Sequence, residues 1–316
     1  MALRDTVKSY FFPGEDSNYA PAHAGGYQSE VPHLLKKFKW VLIILLVCCL
    51  IWPFIEPYLL ETEEVTIACD DLPSAISQLK IVYVSDIHDG SQLFSQARLN
   101  LLINRINACQ ADIVLLGGDY ASDKLTSAAF FEDLPRISST YGVYAVAGEN
   151  DRQPMERKDE SASRLRNAMY RQGITLLENE VVSIRVGTGT IYIAGIDDVS
   201  TKLDDVEAVA KKVSASDFVI FMAHNPSIIT EALSATDQSG NSGWFDLGLF
   251  GHTHGGQIPF IENIFNFDDI PARYEGGWLQ ETRAWLLISN GVGTTGFPAR
   301  LFCKPQIHLI TVTPGT

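Results

Sequence analysis

Five times between residues 81 and 254, a short apolar run ends abruptly on a residue able to hold a metal ion or a proton. The runs are Ile81–Ser85, Ile113–Leu116, Val143–Ala147, Phe218–Ala223 and Leu247–Phe250. They are too short for helices and apolar at nearly every position, the pattern of strands buried on both faces. Stretches with helical spacing separate or follow them: Ser95–Ala108, Ala128–Ile137, Ser161–Gln172, Asp204–Val213, and Pro226–Leu233, which opens on a proline. Strands alternating with helices predict an α/β layer fold. Val181–Val186 and Thr190–Ala194 around Gly187 and Gly189 predict a hairpin. Trp285–Ser289 and Ile307–Thr313 predict later strands with no helix between them, so part of the sheet is expected to be antiparallel.

The residues at the strand ends carry the chemistry. Asp86 and His88 follow the first run, and Asp119 follows the second through Gly117-Gly118. Glu149, Asn150 and Asp151 follow the third through Gly148, and His224 follows the fourth. His252 and His254 follow the fifth, with Gly255-Gly256 next. Strand ends are where an α/β fold presents side chains to a crevice. Four of the seven histidines sit there. Imidazole with carboxylate suits Mn, Zn or Fe better than Ca. Each piece alone is an ordinary turn or cap; the ordered set predicts one site holding two divalent ions.

A second feature lies upstream. Lys36, Lys37 and Lys39 precede the apolar run Trp40–Trp52, which continues past Pro53 to Leu60 with Glu56 as its interruption. A spanning helix needs about 20 apolar residues, with aromatic residues near its ends. No small-residue cleavage pattern follows, as a secretory signal would require. Residues 36–61 are therefore expected to be a transmembrane anchor, 1–35 a disordered cytoplasmic tail, and 62–316 the catalytic domain. The lysines before the span keep the N-terminus cytoplasmic and place the domain outside the cytoplasm in a single-pass arrangement in the cell membrane.

Charge and cysteine usage narrow the functions. The formal net charge is −14, which argues against nucleic acid as the main partner. A phosphorylated small molecule remains compatible, because bound metal reverses the local field. Five cysteines without a CxxC spacing exclude a zinc knuckle. A disulfide is open to Cys69, with no partner selected by the sequence. Residues 259–283, rich in aromatic residues, read as a partly packed loop, with a substrate lip or a membrane-surface segment as the alternatives, and Arg273, Arg283 and Arg300 are either solvated or candidate phosphate contacts.

The blocks Asp86-Ile87-His88, Gly118-Asp119, Gly148-Glu149-Asn150-Asp151, His224-Asn225-Pro226 and Gly251-His252-Thr253-His254-Gly255-Gly256-Gln257 resemble those of the calcineurin-like metallophosphoesterases. They resemble in particular the membrane-linked YkuE/YaeI-type branch, and the segment Ser289–Arg300 resembles it too. The resemblance implies two facing mixed β-sheets flanked by helices. It implies one ion held by Asp86, His88, Asp119 and His254, and a second held by Asp119, His224, His252 and Glu149. Asp119 would bridge them, with Asp119, His254 and Asn150 at the reacting centre and a metal-bridging hydroxide attacking phosphorus in line.

One block departs from the family pattern of Gly-Asn-His-Asp. Glu149 stands at the amide ligand and Asn150 at the histidine, or, with a one-residue loop shift, Asn150 is itself the ligand. Asparagine donates a hydrogen bond but supplies no proton. General-acid help is worth about 10²–10⁴-fold, so slow turnover or a good leaving group is expected. Phosphodiesters, pyrophosphates and lipid-linked phosphates fit. The alternative is a metal-holding domain with little turnover that recognises a partner.

Overall fold

The computed structural model describes residues 31–91, 94–122, 127–151, 158–258 and 270–315. The expected tail lies outside these residues up to position 30. The chain divides into two compact units, residues 1–48 and 49–316. In the first, the described residues form one helix, the start of α1 (Val31–Ile55). Within and just past α1, Lys37–Tyr58 is long and apolar enough to cross a membrane, with a mean hydropathy of 2.5 and no burial of its most apolar window.

In the second unit two six-stranded sheets face each other. The first runs β1 (Glu61–Cys69), β12 (Gln306–Pro314), β2 (Leu79–Val84), β3 (Ile113–Leu116), β4 (Val143–Ala145) and β5 (Ile174–Leu176). The second runs β10 (Gly277–Glu281), β11 (Ala284–Ile288), β9 (Leu247–Phe250), β8 (Val219–Met222), β7 (Gly189–Gly195) and β6 (Glu180–Val186). Both are mixed. β2 to β5 are parallel, as are β7, β8, β9 and β11, whereas β12 runs antiparallel to β2 and β10 to β11. The β6–β7 hairpin is antiparallel, in the place expected.

Strand alternation builds three apolar layers. Ile81, Tyr83, Ile113 and Leu115 meet Ile191, Ile193, Ile220 and Leu249 between the sheets. Val82, Val84, Val114 and Leu116 pack outward on α2 (Gln96–Ala108), α3 (Ser127–Glu132) and α4 (Lys158–Arg171). Phe221, Phe250 and Ile288 pack on α5 (Val206–Ala210) and α6 (Ile229–Ser234). Every central strand is thus covered on both faces, which is why these runs read as continuously apolar.

Several elements differ from expectation. α3 stops at Glu132 rather than residue 137, because Pro135 disfavours helix at and before its own position. β1, β5 and β10 are unexpected. β1 alternates polar and apolar residues on a sheet edge, and its acidic positions mask its apolar ones, Val65, Ile67 and Cys69. β5 is three residues long. β10 falls inside the expected 259–283 loop, whose residues 259–269 lie outside the described set.

The cysteines are all free. Cys69 is buried, and burial pushes its thiol up to about 12. Cys303 is buried and raised too, chiefly by burial. A thiolate is the reactive form. The folded protein is therefore expected to leave Cys69 and Cys303 unmodified by a thiol-specific alkylating reagent until denaturant is added; mass mapping of labelled peptides reads this directly.

Candidate metal centre

The parallel strands β2, β3, β4, β8 and β9 release their chains at one edge of the two sheets. Backbone hydrogen bonds then tie the loops together: Asp86 N donates to Gly118 O at 2.9 Å, His88 N to Asp119 O at 3.0 Å, and Gly251 N to His224 O at 2.9 Å. Five of the loop residues take left-handed backbone: Asp86 (φ 53°), His88 (49°), Asp119 (55°), His252 (70°) and His254 (52°). Such a conformation costs about 1–2 kcal/mol per non-glycine residue. Strain concentrated on one cluster marks a functional site. Gly148 allows a close approach of the two loops, since a Cβ there would clash with Asp119 Oδ1.

The side chains converge. His88 Nε2 lies 3.0 Å from His254 Nε2 and 3.6 Å from Asp119 Oδ2. His224 Nε2 lies 3.4 Å from Asp119 Oδ2 and 3.8 Å from Asp86 Oδ1. His254 Nε2 is 3.6 Å from Asp86 Oδ1. The backbone N of His252 donates to Asp86 Oδ1 at 3.0 Å, and its ring meets that of His224 edge-on at 5.3 Å. Glu149 is half-exposed at the rim, its Oε1 4.0 Å from His252 Nδ1. Asn150 turns inward: its Nδ2 donates to Asp119 Oδ2 at 2.6 Å and its backbone N to Asp119 Oδ1 at 2.9 Å.

These residues fit divalent cations. Asp86, His88 and His254 each offer a ligand atom within 4.8 Å of the others, and so do Asp86, Asp119 and His224. Their carboxylates and imidazoles are almost fully buried. His224 Nδ1 is held on Gly117 O at 2.8 Å, while its buried Nε2 has no hydrogen-bond partner and faces both carboxylates. Buried, unsatisfied polar groups of this kind are costly, and a cation between them removes the cost.

Residues 79–256 match the model of the calcineurin-like phosphoesterase family. The chain belongs to this family. It is 32% identical over 237 residues to YpbG, an uncharacterized protein of Bacillus subtilis (strain 168), covering 74% of this chain and 81% of YpbG. It is 29% identical over 265 residues to the uncharacterized metallophosphoesterase YkuE of the same organism, covering 82% of this chain and 87% of YkuE. A transmembrane protein with metallophosphoesterase domain from Danio rerio is 27% identical over 265 residues, 80% of this chain and 57% of that one.

Metal capture needs neutral imidazole and ionised carboxylate, a state that Asp119, His252 and His254 favour and His224 does not. Burial pushes Asp119 up, but the charges of His224 and His88 outweigh it and hold its carboxyl well below the usual range. Burial, His88 and Arg300 all push His254 down. Burial and His224 push His252 down. Burial would lower His224, yet Asp119 and Asp86 hold it well above its ordinary value, so cation capture there must displace a proton.

Three supporting residues are given no ligand or catalytic role in the sequence reading, although Asp151 stands in one of its strand-end blocks. Asp151 is buried, and its carboxylate accepts from Asp119 N at 2.8 Å, Gly148 N at 2.9 Å and Tyr120 N at 3.1 Å. It ties the β3 loop to the β4 loop. Asp198, just past β7, is 2% exposed with Oδ2 unpartnered; its charge reaches His224. Its signal was the same strand-end position, which a hairpin reading hides. Glu56, expected within the anchor, is buried in the catalytic unit.

The three candidate arginines all have partners within the protein. Arg300 is fully buried, donating to Gly291 O, Gly293 O and Cys303 O, and lies 3.3 Å from His254 Nδ1. It holds the 291–303 loop behind the site. Arg283 pairs with Asp71 and Asp246, and Arg273 with Glu281. In front of the site a cleft of about 240 Å³ is lined by His88, Ser122, Asn150, Thr294 and Phe297.

Proposed function

We propose that this phosphoesterase uses two divalent ions, Mn, Zn or Fe, to hydrolyse a phosphodiester, pyrophosphate or lipid-linked phosphate. Asp86, His88, Asp119 and His254 would hold one ion, and Asp119, His224, His252 and Glu149 the other. The observation that carries this reading is Asp119 Oδ2, which sits between His88 Nε2 and His224 Nε2 at 3.6 and 3.4 Å. Ions in such a site polarise phosphoryl oxygens and make water a stronger nucleophile at neutral pH.

The chain's own groups do the rest. Asn150 fixes the Asp119 carboxylate through both its amides. It lines the cleft, so its polar end also meets whatever occupies that space. It delivers no proton to a leaving group. His254, packed between His88 and Arg300, is held neutral. Leaving groups that depart as stable anions therefore suit this site.

The anchor reading adds a place. The apolar helix over Lys37–Tyr58 supports a membrane protein, and the lysines ahead of it support an extracytoplasmic catalytic unit at the outer membrane face. The relative from Danio rerio, a transmembrane protein with metallophosphoesterase domain, supports the membrane association alone.

The test uses the full chain in detergent, stripped of metal and then supplied with Mn²⁺ or Zn²⁺. Hydrolysis of bis-p-nitrophenyl phosphate is expected only with metal, and with a rate falling steeply as the leaving group of a phosphoester series becomes more basic. Asn150→His is expected to flatten that dependence and to raise the rate for basic leaving groups by about 10²-fold, the low end of general-acid catalysis. Two bound ions with no turnover in either protein would leave a metal-holding recognition domain instead.

A further inference from the structure

The loop that walls the cleft is also fastened to the end of α1. Arg300 N donates to Pro53 O at 2.9 Å. Phe302 N and Cys303 N donate to the Glu56 carboxylate, and Trp52 Nε1 donates to the same carboxylate at 2.7 Å. The rings of Phe54 and Phe297 meet edge-on at 5.8 Å. The 297–303 loop is therefore fixed beside the residues through which the apolar span ends.

That junction exposes aromatic side chains toward solvent. Phe54 is 47% exposed, Tyr58 54%, Phe297 44% and Phe302 80%. Single exposed apolar residues are ordinary, but several exposed aromatic residues gathered at one junction, two of them in ring contact, are not. Phe302 is the telling member. Its φ is 57°, a left-handed turn conformation that bulky residues rarely adopt and that glycine or asparagine would take at lower cost. Its backbone holds the Glu56 contact while its side chain touches little of the fold.

We propose that the 297–302 loop, with Phe302 at its tip, rests in the lipid interface and sets the mouth of the cleft at headgroup level. The occupant is lipid because the surface continues directly from the end of a helix apolar enough to span a bilayer. Aromatic side chains at such ends settle at the headgroup boundary. The other flank of the loop, Thr294–Pro298, lines the cleft with His88 and Asn150. Phosphoesters carried on lipids would then reach the site without leaving the membrane. The proposal rests on the anchor reading given above.

The test places an environment-sensitive fluorophore at Phe302→Cys in the full chain, with Cys48→Ala, Cys49→Ala and Cys109→Ala removing competing thiols. The reference is Tyr170→Cys on α4, 80% exposed beside β5, at the opposite end of the sheet from β1. The protein is reconstituted in phosphatidylcholine nanodiscs with and without a lipid-borne quencher. Quenching at position 302 several-fold stronger than at 170 is expected, and Leu301→Cys is expected to repeat it should the first variant fold poorly. Equal, weak quenching at 302 and 170 in a chain that resists alkaline extraction overturns the loop proposal alone. Release of the chain by alkali overturns the anchor reading and the proposal with it. Protection of position 302 without lipid quenching identifies a protein partner and likewise overturns it.

Discussion

Replacing Asp119 with asparagine is expected to lower kcat/KM on bis-p-nitrophenyl phosphate by on the order of 10³-fold, since metal clamps supply several kcal/mol of transition-state stabilisation. Asparagine is the right substitute because Asp119 sits at φ 55°, a conformation that asparagine tolerates and alanine resists. The backbone contacts of Asp119 to His88 N and to the Asp151 carboxylate should survive. What is lost is the carboxylate charge between His88 and His224. Metal content, measured by elemental analysis after gel filtration, should fall with activity. An Asp119→Asn protein that keeps its metal content and its rate would end the proposed bridging role.

The largest loss of stability is expected from Glu56→Ala. The Glu56 side chain accepts from Trp52 Nε1, Phe302 N and Cys303 N, and it is 2% exposed. Hydrogen bonds to a charged group contribute about 1.5–3 kcal/mol each, and buried donors left behind cost more than the bond was worth. Because these bonds share one acceptor, a total near 3–5 kcal/mol is expected rather than their sum. In a unit of this size that lowers Tm by about 5–9 °C. Thermal unfolding of the full chain, followed by near-ultraviolet circular dichroism, reads it. Glu56→Gln, which keeps an acceptor oxygen, should lie between. The same contacts predict that a soluble protein beginning at residue 62 is less stable than one beginning at residue 49. Damage should extend to the site, because Cys303 Sγ donates to His254 O at 2.9 Å. A Tm unchanged by Glu56→Ala would show that the junction is loose in solution.

The two predictions concern residues that a sequence reader treats very differently. Asp119 announces itself: a carboxylate after Gly-Gly, at the end of four consecutive apolar residues. Glu56 reads as an interruption in an apolar run, although it fastens the end of α1 to a loop 246 residues away. Local pattern carries the first because strand burial and strand-end chemistry are written in neighbouring residues. It cannot carry the second, because the acceptor and its backbone donors meet only after both sheets have formed. Arg300 shows the same limit. Its loop position suggests an exposed phosphate contact, and the fold instead buries it among carbonyls behind His254.

Sequence by itself determined the layer class, the order of the central strands along the chain, the apolar helix and the residues at the strand ends. Each follows from short-range physics: an apolar run covered on both faces, a helix without a polar side, and a turn that needs glycine. The tertiary structure decided how the sheets face each other, which strands lie at their edges and how far each candidate stands from its neighbours. It also decided the left-handed backbone at Asp86, His88, Asp119, His252 and His254, a strain that only a closed network of loop contacts can hold. Edge strands such as β1 stayed hidden because half of each is exposed, so polar residues dilute their pattern. The supporting shell of Asp151, Arg300 and Glu56 stayed hidden because hydrogen bonds to backbone amides and carbonyls leave no signature in the partner's sequence.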